Sequence, residues 1–70
     1  MATLIVAADD VLSGTVDLDG LDAMYVALRG SKMLTGDAFV RLLEAVNYMA
    51  KFGWRVRAWF QYYVIMEKEK

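Results

Sequence analysis

Residues 37–60 read DAFVRLLEAVNYMAKFGWRVRAWF, and the change of rhythm inside this stretch decides the fold. Phe39, Leu42, Leu43, Val46, Met49 and Ala50 recur at the spacing that lines one side of an α-helix, while Arg41, Glu44, Asn47 and Lys51 fall on other sides. Asp37 near the start and Lys51 near the end both complement the helix dipole. Gly53 can take the left-handed conformation that stops a helix. The spacing therefore predicts a helix over about 37–52. Beyond Gly53 the period changes. Trp54-Arg55-Val56-Arg57-Ala58 alternates apolar and basic residues, the signature of a strand with one buried face and one charged face.

Working outward, Tyr62-Tyr63-Val64-Ile65-Met66 is aromatic and β-branched, and Glu67-Lys68-Glu69-Lys70 reads as a solvated tail. Together with Trp54–Phe60 this predicts a terminal β-hairpin bending near Phe60 to Tyr62, although no Gly, Asn, Asp or Pro marks the bend. A single helix from 37 to about 66 is the competing reading, and Gly53 with the aromatic and β-branched residues argues against it. Upstream, Thr3-Leu4-Ile5-Val6 reads as a short strand stopped by Asp9-Asp10. Ser13-Gly14 marks a turn, and Thr15 to Leu18 reads as a second short strand paired with the first. Asp17-Leu18-Asp19-Gly20 has some acids of a calcium loop, but Leu21 stands where a third oxygen ligand belongs and no bidentate Glu follows. Turn chemistry is the expected role. Residues 23–28 are open between helix and strand: Leu21, Met24, Tyr25 and Leu28 fit a helical stripe, while Met-Tyr-Val-Ala-Leu also suits a strand ended by Arg29-Gly30-Ser31.

The pattern Gly53-Trp54-Arg55-Val56 after an amphipathic helix, followed by Tyr62-Tyr63-Val64-Ile65-Met66-Glu67-Lys68, resembles the small prokaryotic family called domain of unknown function 4177. The likeness covers roughly residues 23–68 and rests on Gly-Trp with the apolar spacing around it. It implies the order strand, helix, Gly-Trp and two strands, and so favours a strand at 24–29. Arg55 stands where members often carry an acid, and about twenty N-terminal residues are additional. The resemblance implies a fold and transfers no catalytic residue. The expectation is an α+β fold: a small antiparallel sheet of three to five strands packed on one amphipathic helix, with a terminal β-hairpin. Residues 1–70 form a single domain, in which the acidic segment 1–20 is an extra hairpin or an arm.

Seventy residues suffice for one domain only. So small a core rarely contributes more than about 3–5 kcal/mol, and small domains compensate with disulfides, a metal or association. With no Cys and no His, disulfides and the usual zinc sets are excluded. The 59% hydrophobic content exceeds what one small core can hide, so part of it is expected to face a partner. A homo-oligomer or a protein partner is the leading expectation. No basic n-region precedes the apolar stretch at Thr3 to Ala8, and Ala58 to Met66 is far short of the ~20 residues a membrane helix needs. A cytoplasmic location without membrane contact is expected.

The net charge of −1 conceals an asymmetry. Asp9, Asp10, Asp17, Asp19 and Asp22 precede any base, whereas Arg29, Lys32, Arg41, Lys51, Arg55 and Arg57 meet only Asp37 and Glu44. Acidic and basic segments are expected to pack together, within one chain or across a subunit contact. A basic face for nucleic acid is the alternative.

His-based and Cys-based catalysis is excluded by composition. The carboxylates sit in turn-like contexts without an apolar pocket to raise a pKa, and Gly30-Ser31-Lys32 lacks the rest of a phosphate loop. No catalytic, cofactor-binding or metal-binding residue is assigned, and the chain is expected not to be an enzyme. Simple alternation puts Arg55, Arg57 and Trp59 on one face as a cationic and aromatic strip, with Trp54, Val56 and Ala58 turned toward the helix. Arg55, Arg57, Trp59, Tyr62 and Tyr63 are the expected interaction face. Tyr62 and Tyr63 point to opposite faces, so one of them is expected to be exposed. The same strip, with Lys51 and Lys32, is the alternative site for single-stranded nucleic acid. An adaptable apolar pocket lined by the five Met residues is a minor option.

Overall fold

The computed structural model describes residues 3–30 and 36–69. In chain order the elements are β1 (Thr3–Ala7), α1 (Ala8–Leu12), β2 (Tyr25–Arg29), α2 (Gly36–Ala50), β3 (Trp54–Trp59) and β4 (Tyr63–Lys68). The fold is α+β, with one main helix on a four-stranded sheet ordered β1-β2-β4-β3.

Helix α2 buries Leu42, Ala45, Val46 and Met49, the inward part of its apolar stripe. Its last turn tightens: Lys51, Phe52 and Gly53 donate their amides to the carbonyls of Tyr48, Met49 and Ala50. Gly53 then adopts φ +86°, where a Cβ would meet no atom within 4 Å, so its requirement is for backbone conformation rather than space. The chain reverses there into β3. The hairpin forms where the alternation predicts it. Its bend is closed by the Phe60 amide donating to the Tyr63 carbonyl at 2.8 Å, and tied to the end of β2 by the Gly30 amide on the Tyr62 carbonyl at 2.7 Å.

Two expectations about the first half are corrected. The sheet is mixed rather than antiparallel, because β1 runs parallel to β2, in register from Thr3↔Tyr25 to Ala7↔Arg29. Residues 15–18 form no strand. A parallel pair needs a crossover of a dozen or more residues, and 8–24 supply it. The first strand does stop just before Asp9 and Asp10, at Ala7. These acids occupy the first turn of α1, where acids suit the positive end of the helix. The helix buries Ala8 and Val11, and Gly14 closes it at φ +80°. The Gly14 and Thr15 amides donate to the carbonyls of Val11 and Asp10, the Schellman pattern. In the loop that follows, Asp17 Oδ1 accepts the Gly20 amide at 3.1 Å, which is turn chemistry.

The core lies entirely between the helices and one side of the sheet. Val26, Leu28, Trp54, Val64 and Met66 from the strands meet Leu42, Ala45, Val46 and Met49 of α2, Ala8 and Val11 of α1, and Leu18 of the crossover. Trp54 is the largest side chain among the fully buried ones, and its Nε1–H donates to the Leu18 carbonyl at 3.4 Å. Met49 and Met66 are core and Met24 is half-buried; Met1 and Met33 lie outside the described residues.

Candidate interaction face

Because Val26, Leu28, Val64 and Met66 point into the core, the alternate residues of β2 and β4 point to the opposite side of the sheet. No described helix covers that side. The pairings place Ile5, Ala27, Ile65 and Ala58 in one apolar row across all four strands. On one side of it runs Thr3, Tyr25, Glu67 and Arg55; on the other, Ala7, Arg29 and Tyr63. Phe60 stacks on Tyr63 with ring centroids 4.7 Å apart. Ile5, Ala27, Arg29 and Tyr63 line a shallow hollow of about 190 Å³. Ile5 is 74% exposed, the most exposed large apolar side chain described. The uncovered face of the sheet therefore has an apolar middle and a polar rim.

The charged corner is built around Glu67. Its Oε1 accepts from Arg55 Nη2 at 3.1 Å and from Arg57 Nη1 at 3.3 Å. The Arg57 guanidinium also lies 5.7 Å from the centre of the Tyr25 ring. Desolvation beside these groups opposes ionisation of Glu67, but hydrogen bonding and charge from Arg55, then Arg57, outweigh it and hold the carboxyl below its ordinary value. A lowered carboxyl adds stability that is complete above the unfolded-state value and lost as pH falls through the folded one. Glu67→Gln is therefore expected to remove a small part of the acid destabilisation, read as a flatter dependence of the urea midpoint on pH in the acid range. An unchanged slope in the variant would show that the carboxylate is not engaged.

Of the expected face, the structure brings Arg55, Arg57 and Tyr63 to the open side. Trp59 goes elsewhere. Arg57 is an extra residue in β3, where the pairing with β4 slips between Val56 and Ala58. One extra residue inverts the alternation beyond it. Ala58 thus turns outward beside Ile65, and Trp59 turns to the helix side, where it meets Phe39 of α2 at 6.0 Å between ring centres. The continuous Arg55-Arg57-Trp59 strip and the inward Ala58 are both corrected on this ground. Tyr62 sits in the bend, and both Tyr62 and Tyr63 are exposed rather than one of them. Tyr48 is half-buried against Phe52, with ring centres 5.2 Å apart. Lys32 lies outside the described residues. Nothing in the unbroken apolar run Leu4-Ile5-Val6 marks Ile5 as the outward residue, and its place beside Ala27 depends on a parallel pairing that the sequence does not display.

Among the described residues the acidic and basic segments touch at one ion pair: Asp9 Oδ1 accepts from Arg41 Nε at 2.7 Å, with both side chains well exposed. That pair borders a hollow of about 310 Å³ that includes Arg29, Gly30 and Ala38 in its lining. Among the described residues no cluster of three or more His, Cys, Asp or Glu side chains is placed to hold a metal. No helix among them is long and apolar enough to cross a membrane. The chain matches no family model, no curated protein and no solved structure.

Proposed function

We propose that this chain is a non-enzymatic interaction module that associates with a second copy of itself, with the exposed Ile5 of the outer strand β1 at the contact. The observation that carries this reading is Ile5, three-quarters exposed on the edge strand at the end of the apolar row, in a domain with no cysteine and a small core. Burying such a side chain contributes about 1.5–3 kcal/mol, and association is the route left to obtain it. The resemblance to domain of unknown function 4177 remains a proposal too, supported by the order β2, α2, Gly53-Trp54, β3, β4.

Single-stranded nucleic acid is the weaker reading. Glu67 stands between Arg55 and Arg57 and neutralises part of the charge that phosphates would need, and Trp59 is not beside them to stack a base. Self-association makes thermal stability depend on concentration by mass action. The unfolding midpoint is expected to rise by several degrees between about 10 µM and about 1 mM protein, followed by circular dichroism. A midpoint that does not move over that range contradicts the reading.

A further inference from the structure

The two edges of the sheet are built differently. The outer strand β3 carries Arg55 and Arg57, and the extra residue at Arg57 breaks its regularity. Charge and a bulge are the devices by which natural sheets stop another strand from adding. The opposite edge, β1, has neither. Thr3-Leu4-Ile5-Val6-Ala7 contains no charge, no Pro and no Gly, pairs in unbroken register with β2, and is hydrogen-bonded to no other strand among the described residues. Every second residue of β1 therefore directs its amide and carbonyl away from the sheet.

We infer that two copies join through β1, antiparallel, on a two-fold axis passing midway between the two Ile5 residues, to form one eight-stranded sheet. The inference rests on the self-association proposed above and specifies its mode. A two-fold axis perpendicular to the sheet keeps the open face of one copy level with that of the other. Residues directly opposite in an antiparallel pair share a face, so the axis must lie where a residue faces its own copy. Centring it on Ile5 pairs all five residues: Thr3 with Ala7, Leu4 with Val6, and Ile5 with Ile5. The apolar row Ala58-Ile65-Ala27-Ile5 then runs on without a break into its copy. Because β3 is guarded, the contact uses up the one open edge and closes as a dimer instead of propagating as a fibre.

The absence of native cysteine makes a thiol scan decisive. Opposed Cα atoms in an antiparallel pair are about 4.5–5.5 Å apart, within the about 4.4–6.8 Å that a disulfide spans. Under oxidised glutathione, Ile5→Cys is expected to give a covalent dimer. Leu4→Cys, displaced diagonally from its own copy, is expected to cross-link at least about fivefold less. Ile65→Cys, in the middle of the open face, cross-links only if the two sheets stack face to face. In the wild-type protein, amide exchange in β1 is expected to slow as concentration rises, which tests the edge without any substitution. Wild-type mass is measured alongside. Absence of a link at position 5 in a protein that is dimeric by mass overturns the edge pairing and leaves self-association standing. A link at position 65 without one at position 5 likewise overturns the edge pairing, and assigns the contact to stacked faces. A wild-type protein that is monomeric throughout removes both.

Discussion

Trp54→Ala is expected to unfold the domain at 25 °C. Trp54 is 2% exposed and begins β3 at the point where α2 hands over to the sheet, so its ring fills space between strand, helix and crossover. Large-to-small substitution of a buried Trp costs about 3–5 kcal/mol. That is about the whole net stability that a core of this size provides. The loss also leaves the Leu18 carbonyl without its indole donor, loosening the crossover between β1 and β2. Trp54→Phe keeps an aromatic ring but not the hydrogen bond, and is expected to stay folded with a loss of about 1–2 kcal/mol. Circular dichroism and urea titration read both variants. A Trp54→Ala protein that unfolds cooperatively near the wild-type midpoint would show that this ring is not central to the core.

The second large effect is expected at the opposite side of the sheet. Ile5→Lys should abolish association while leaving the isolated domain folded. Ile5 gives up little on replacement within one chain, because three-quarters of its surface is already in solvent. Across the two-fold contact, however, two ammonium groups would be placed directly opposite each other, and like charges there are destabilising. Lys is also the residue with which natural edge strands repel one another. At the highest concentration at which the wild type is dimeric, the variant is expected to run as a monomer. Diluted, the two proteins should share one thermal midpoint. An Ile5→Lys protein that keeps the dimer would place the contact elsewhere.

The contrast between these two positions shows which features could be read in advance. Helix α2 and the hairpin are legible because the apolar period changes from 3.6 to 2 at Gly53, and because Gly53 supplies the backbone conformation the reversal needs. Trp54 is legible as core for the same reason. Helix α1 was not, since five residues are too few to display a period and Asp9-Asp10 serve a helix start as readily as a strand end. The parallel pairing of β1 with β2 is a tertiary fact. Nothing in Thr3–Ala7 distinguishes a partner ahead of it from one behind it.

The candidate face was half legible. Arg55, Arg57 and Tyr63 are on it, but in the sequence Glu67, the partner of the two arginines, stands at the head of a charged run that looks like a solvated tail. Trp59 left the face because a single unpaired residue at Arg57 inverts every side chain after it, and no Gly or Pro marks that bulge in the sequence. Ile5, Ala27, Ile65 and Ala58 could not be aligned as a row without the pairings of all four strands.

The most direct test of self-association is the mass of the wild-type chain by sedimentation equilibrium, from about micromolar to about millimolar concentration. As concentration rises, the mass is predicted to climb from the 7.9 kDa of one chain toward twice that value and level off there. A mass that stays at 7.9 kDa throughout would contradict it.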